Sequence, residues 1–214
     1  MANVDTPFGL RPIRHRNGAP YNGAANAYYI PSSYMTALFV GDPVIKTGTS
    51  NTAKVTAVDM GEFDIGTLPE INKATAGATN RITGVIVGFA PLPTDLSKQY
   101  NPASTERVAL VCDDPDVIFE IQSDGALSAA QVSLNAVLIF TSSGSTTSGL
   151  SGAELDSGTS TAPAADATYQ LMIQRAKPVP GNDITAAYCK VEVLISNHTE
   201  ASGSTTSSTG ILGV

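Results

Sequence analysis

The chain has 214 residues, of which 42 % are hydrophobic and only 14 % are charged, and its formal net charge is −7. This composition excludes a chain that is disordered throughout, and the length allows one or two domains with a hydrophobic core. The negative charge disfavours nucleic acid or an anionic membrane as a partner of the whole surface.

Residues 1–26 show neither helical nor strand periodicity, and they contain three prolines and three glycines. Because each proline removes a backbone donor and restricts the residue before it, we expect an extended N-terminal arm. Arg11, Arg14 and Arg16 lie within six positions of an otherwise acidic chain. The arm is either a solvated terminus or a segment that docks on a partner. Its candidate partner-binding residues are Phe8, Leu10, Arg11, Ile13, Arg14, Arg16 and Tyr21.

Residues 27–198 are typical of a β-rich body. Apolar and polar residues alternate with a period of two, which predicts strands near residues 82–89, 107–112, 117–122, 168–175 and 188–195. No long amphipathic helical window occurs, so we predict an all-β fold, a barrel or a sandwich. The side chains expected in its core are those of Val85, Val87, Phe89, Val108, Leu110, Cys112, Val117, Phe119, Ile121, Leu171, Ile173, Val191 and Val193.

Two segments are rich in serine, threonine and glycine. Residues 141–168 contain 17 such residues, and we expect a flexible insertion in the body. Residues 199–214 form a C-terminal tail that begins with a similar composition.

The densest acidic cluster is Asp113, Asp114 and Asp116, which we interpret as a solvated turn between two strands. Calcium binding is the alternative, since Ca²⁺ takes six to eight oxygen ligands, although the spacing is not that of an EF-hand. Cys112 and Cys189 are too few for a disulfide scaffold and are expected to be buried thiols.

No phosphate-binding loop, dinucleotide fingerprint, zinc-protease helix or nucleophile elbow occurs in the sequence. His15 and His198 are its only histidines, which leaves few ligands or bases for a zinc site or a catalytic triad. We therefore expect no enzymatic activity, no cofactor and no metal. No apolar run approaches the roughly 18 residues of a spanning helix, and the N-terminus lacks the pattern of a secretory signal.

Several phrases of the sequence resemble virion structural proteins of tailed bacteriophages, and among these the capsid cement, or decoration, proteins. The phrases are MANVDTPFGLRPIRHRNGAPYNGAANAYYIP, LFVGDPVIKTG, ITGVIVGFAPL and VALVCDDPDVIFEIQSDG. The resemblance covers about residues 3–125 and returns more weakly at 168–198.

The resemblance implies a non-enzymatic protein bound to the outer face of the capsid shell, which it stabilises. It implies the major capsid protein as partner, self-association as a homotrimer, and synthesis in the cytoplasm of the host bacterium. No nucleic acid or membrane partner is expected. The alternative is a tail, baseplate or fibre protein with a structural or receptor-binding role. A small β-barrel enzyme acting on polysaccharide would require a cleft with two paired carboxylates.

Overall fold

The computed structural model describes residues 3–201. Its strands are β1 (Arg11–His15), β2 (Asn26–Ile30), β3 (Pro43–Ser50), β4 (Val55–Ala57), β5 (Gly61–Phe63), β6 (Pro69–Lys73), β7 (Gly84–Phe89), β8 (Arg107–Cys112), β9 (Val117–Gln122), β10 (Asn135–Ala136), β11 (Leu138–Phe140), β12 (Ala153–Leu155), β13 (Leu171–Ala176) and β14 (Lys190–Ile195). A 3-10 helix spans Ala129–Gln131. Strands make up 38 % and helix 2 %, so the all-β prediction is confirmed. Between residues 3 and 201, no helix has the length and apolar character to cross a membrane.

Five strands close into a barrel in the order β2-β6-β3-β7-β8. The contact between β2 and β6 is parallel, and the other neighbours are antiparallel. Closure leaves no unpaired strand edge. The interior is filled by buried side chains from every strand, among them Ile30, Val44, Ile71, Ile86 and Val111.

A five-stranded antiparallel sheet packs on the outside of this barrel. Its order is β1-β9-β14-β13-β10. The inner face of the sheet contributes Phe119 and Val193 to the largest core cluster, and the barrel contributes Val85 and Cys112. The barrel and the sheet therefore share one core.

Strand β8 is buried on both faces, whereas the sequence pattern predicted one buried face. Ala109 and Val111 are fully buried in the barrel interior. Cys112 points outward into the core shared with the sheet, while Leu110 is only half-buried. Because the barrel is covered on its outside, the alternating pattern of a half-buried strand is lost here.

The predicted strands are confirmed, with small shifts in their limits. β8 and β9 occupy the predicted ranges, and β7, β13 and β14 begin two or three residues later than predicted. All predicted core side chains are buried except those of Val87, Phe89 and Leu110, which are partly buried.

The N-terminal arm expected over residues 1–26 is not separate from the body. Residues 11–15 form β1, which pairs with β9 at the edge of the sheet with a bulge between Pro12 and Arg14. An edge strand tolerates a proline, since one of its sides needs no backbone donor. The alternating pattern therefore did not predict this short strand, because it contains a proline.

The segment 141–168 is also integrated into the fold rather than a loose insertion. It contains β12, which is completely buried and pairs with β11. A Cβ atom at Gly144 would lie 2.5 Å from the Phe39 ring, so this glycine permits close packing. Of the predicted tail, Thr199 is buried, and residues 202–214 lie outside the described residues.

Phe119 tests the placement of β9 in the shared core. Its side chain is 1 % exposed, so Phe119→Ala should lower the free energy of unfolding by about 3–5 kcal/mol through the cavity that it leaves. Leu96→Ala is the control, because Leu96 is 77 % exposed and its truncation should cost less than about 0.5 kcal/mol. Denaturant unfolding measures both. A loss below about 1 kcal/mol for Phe119→Ala would contradict the register of β9.

Candidate partner-binding groove

The structure places the seven candidate partner-binding residues in three environments. Arg11 and Arg16 are exposed, Ile13, Arg14 and Tyr21 are half-buried, and Phe8 and Leu10 are buried. Phe8 and Leu10 are therefore packed against their own chain rather than free in an extended arm, and partner binding by these residues stays a prediction. These two side chains belong to the core of their own chain.

Two glycines fix the path of the N-terminal segment, residues 3–26, across the barrel. Gly9 and Gly41 both have positive φ, 72° and 93°. A Cβ at Gly9 would lie 2.4 Å from the Gly41 carbonyl oxygen, and a Cβ at Gly41 would lie 2.4 Å from the Phe8 carbonyl oxygen. The Leu10 N–H donates to that Gly41 oxygen over 2.9 Å. The two backbone segments can approach this closely only because neither Gly9 nor Gly41 has a side chain.

A buried carboxylate lies directly beside the crossing. Asp42 accepts hydrogen bonds from the Ser151 hydroxyl (2.6 Å) and the Phe39 N–H (2.8 Å), and the Lys73 ammonium lies 2.9 Å from it. Burial raises the pKa of Asp42, and the ammonium and the hydrogen bonds counter this rise. These contacts join β3, β6 and the 141–152 loop beneath the N-terminal segment.

A groove of about 200 Å³ opens between the N-terminal segment and the barrel. One wall includes four of the seven predicted residues, and the other wall comes from the barrel and from the loop before β12. We call this site the Phe8 groove; its lining residues are Phe8, Leu10, Arg11, Pro12, Tyr21, Val40, Gly41, Ile86, Val87 and Leu150.

Two cations lie near the Phe8 ring: Arg11, which lines the groove, and Lys190, which lines a neighbouring cavity. The Arg11 guanidinium carbon lies 4.6 Å from the ring centroid, and the Lys190 Nζ lies 5.8 Å from it. Neither cation forms an ion pair with any residue in the range 3–201. The cavity that Lys190 lines has a volume of about 230 Å³, and Val4 and Val179 line it as well. The groove thus combines mostly apolar lining with the Arg11 guanidinium, and the Lys190 ammonium lies nearby; neither cation has a carboxylate partner in the described chain.

Sequence reasoning found one wall of this groove and missed the other. Val40, Leu150 and Lys190 were not among the candidates, because they come from distant parts of the chain and no local motif marks them. Only the folded barrel and sheet bring them to Phe8.

Arg14 and Arg16 are engaged within the chain. Arg14 donates to Glu192 over 2.8 Å, and Arg16 donates to Asp116 over 3.2 Å. Glu192 is buried and also accepts from Arg175 over 2.8 Å. Burial opposes ionisation of Glu192, but the two guanidiniums outweigh it and lower its pKa. Arg14 therefore ties β1 to β14 and β13.

The acidic cluster is divided among separate partners. Asp113 accepts from the Tyr28 hydroxyl over 2.7 Å, Asp116 binds Arg16, and Asp114 lies 3.3 Å from His15 Nδ1. In the described part of the chain, no three His, Cys, Asp or Glu side chains are grouped to hold a metal ion. The cluster fastens the β8–β9 turn to the N-terminal segment and to β2.

Both cysteines are buried free thiols, as predicted. Burial raises the pKa of the Cys112 thiol to about 11 and raises the pKa of Cys189 as well. A thiol that stays protonated is a poor nucleophile and a poor metal ligand. The cysteines therefore serve packing.

Comparisons with protein-family models, with curated proteins and with solved structures find no match to this chain. Its function must therefore be inferred from the Phe8 groove and from the sequence.

Gly9→Ala tests the crossing. We expect it to destabilise the protein by more than about 2 kcal/mol, since the added methyl must displace the Gly41 backbone as well as strain a left-handed residue. Gly18→Ala is the matched control, because Gly18 has φ 91° and nothing within 4 Å of its Cβ position; it should cost only about 1 kcal/mol. Denaturant unfolding compares the two. Equal losses would mean that the crossing contributes nothing beyond backbone strain.

Two buried glutamates should respond to substitution with opposite signs. Glu192→Gln leaves two guanidiniums without a carboxylate and should cost about 1–3 kcal/mol at neutral pH. Glu154 accepts hydrogen bonds from Gln122 and Thr141 and forms no ion pair among residues 3–201. Burial raises the pKa of Glu154, and the two hydrogen bonds only partly counter this rise. Glu154→Gln should therefore be neutral or stabilising.

The pH dependence separates the two cases. Because folding lowers the pKa of Glu192, its ionised carboxylate stabilises the folded protein at pH values above the pKa of an unfolded glutamate, about 4.3. This stabilisation is lost as the pH falls through the pKa of Glu192 in the folded protein. The cost of Glu192→Gln should therefore shrink in acid. The raised pKa of Glu154 removes stability as the pH rises from about 4.3, so the benefit of Glu154→Gln should grow toward neutral pH. Melting temperatures from pH 3 to 8 measure both trends, and parallel trends would contradict the assignment.

Proposed function

We propose that this chain is a non-enzymatic structural protein of a tailed-phage virion, a cement protein that binds the outer face of the capsid shell and stabilises it. The phrases between residues 1 and 125 that resemble cement proteins support this role. So does the all-β body, which combines a closed barrel with a packed sheet.

The observation that carries the proposal is the Phe8 groove. It is open to the surface, most of its lining residues are apolar, and it is lined by Arg11, a cation without a carboxylate partner among residues 3–201. Such a groove suits a protruding segment of another subunit better than a small substrate, which is usually enclosed in a pocket with convergent polar groups. The buried carboxylates described above are occupied by donors of their own chain, and none of them lines the groove.

A cement protein acts by adding buried surface between subunits. A stable contact buries about 1,600 Å² in total, and several contacts per oligomer reinforce one another through avidity. In this proposal the partners are the major capsid protein and further copies of this chain as a homotrimer on the virion surface. The charge of −7 fits a protein that meets neither the packaged nucleic acid nor a membrane.

Reconstitution tests the proposed function. Purified protein is added to capsids of the encoding phage that were assembled without it, and the capsids are pelleted and heated. We expect saturable co-sedimentation and a higher temperature of shell rupture, because bound subunits add contacts across the seams.

Point variants are preferable to truncation here, since removing residues 3–26 would also remove β1 and two core side chains.

Antibody labelling of intact virions gives the position of the protein. Labelling confined to the tail, or an unchanged rupture temperature, would overturn the cement function, and the tail result would favour a tail or baseplate role.

A further inference from the structure

An isoleucine is held in solvent after the β4–β5 hairpin. Ile65 is 68 % exposed, yet its backbone is fixed. The Gly66 N–H donates to the Asn51 carbonyl over 3.0 Å, and the buried Asn51 amide donates to the Asp64 carbonyl over 2.8 Å. The Ile65 turn, residues 64–67, therefore presents an aliphatic side chain on a backbone that has little freedom left to lose on binding.

The surroundings of this isoleucine are acidic. Asp59, Glu62 and Asp64 oppose one cation, Lys54, which leaves a local charge of −2 from three carboxylates and one ammonium. Lys54 lies 2.7 Å from Glu62 but 3.9 Å from Asp64. The Asp64 carboxylate is thus the exposed charge beside the exposed isoleucine.

The Phe8 groove is complementary to this turn in both respects. Arg11 lines the groove, and Lys190 lies 5.8 Å from the centroid of the Phe8 ring; neither charge has an ion-pair partner among residues 3–201. The volume of the groove is about 200 Å³. A protein cavity of about 150 Å³ can hold a benzene ring, so the groove has room for an isoleucine side chain. Apolar insertion with opposite charges at the rim is the usual arrangement of a specific contact.

The turn and the groove lie at opposite ends of β3 and do not meet within one copy. Gly41, in the groove, precedes the first residue of β3, and Asn51, which holds the turn, follows the last. β3 spans eight residues, which is about 26 Å in strand geometry. A contact between them must therefore join two molecules.

We propose that the Ile65 turn of one copy of this chain inserts into the Phe8 groove of a second copy. Ile65 packs on the apolar lining of the groove, and Asp64 faces Arg11. The contact uses two different surfaces, so an open row of copies leaves a free groove at one end and a free turn at the other until it closes into a ring. This inference deepens the proposed function, because it assigns the surfaces through which copies join on the shell.

A charge exchange tests the contact in solution. The oligomeric state of the purified full chain is measured by native mass spectrometry and sedimentation over a range of concentrations. Arg11→Glu and Asp64→Lys should each weaken association at least about tenfold, which is 1.4 kcal/mol. The double variant Arg11→Glu with Asp64→Lys should restore it, since the reversed charges again face each other. High salt should reduce the difference between the single variants and the wild type.

A second pair of variants tests the apolar anchor. Ile65→Ser should weaken association to a similar degree, whereas Leu96→Ser should leave it unchanged. Leu96 is a matched control because it is also an exposed aliphatic residue beside an aspartate, but Lys98 lies 3.7 Å from that Asp95 and leaves no local net charge. Circular dichroism and melting curves confirm that the variants fold.

A monomeric wild type, a double variant no better than the single ones, or dissociation by Leu96→Ser but not by Ile65→Ser would each overturn this contact. Different results would contradict the proposed function. If the wild type forms oligomers but does not bind capsids, the contact stands and the cement role is wrong. If it coats capsids but is monomeric in solution, the role stands and the contact is wrong.

Discussion

The close approach of two backbones at Gly9 and Gly41 is the constraint on which the N-terminal half of the structure depends. Because neither Gly9 nor Gly41 has a side chain, the Leu10 N–H can reach the Gly41 carbonyl. That bond sets the starting point of β1, which becomes the edge of the five-stranded sheet. It also places the Phe8 ring against the barrel, so one wall of the groove exists only because the crossing does.

Buried charges secure the same region from two sides. Asp42, with Lys73 and Ser151, holds the barrel and the 141–152 loop beneath the crossing. On the sheet, Glu192 holds Arg14 of β1 beside Arg175 of β13. A buried ion pair contributes little net stability over apolar packing, but it is costly to break and so fixes one arrangement. The N-terminal segment is thereby a part of the body. Of its three arginines, Arg14 and Arg16 form ion pairs within the chain, and Arg11 has no ion-pair partner among residues 3–201.

The alternating pattern was sufficient for the strands that have one polar face or strong β-branched content, such as β9 and β14. It predicted the range of β8 correctly but only one buried face for that strand, and it did not predict β1. β8 is covered on both sides, and β1 is short and contains Pro12. Composition also misled for residues 141–168, because small residues that suit flexible loops equally suit close packing against Phe39. For the groove, the apolar and basic residues of the N-terminus were visible in the sequence, whereas Val40, Leu150 and Lys190 meet them only through long-range topology.

We propose that this chain joins neighbouring subunits on a capsid through the groove that its N-terminal segment builds. Electron cryomicroscopy of the mature virion would locate this chain and show which residues fill its groove. We expect β-barrel density on the outer surface of the shell, with the Ile65 turn of one copy seated against Phe8 and Arg11 of the next. Density for this chain on the tail alone, or copies on the shell whose Phe8 grooves face solvent, would contradict it.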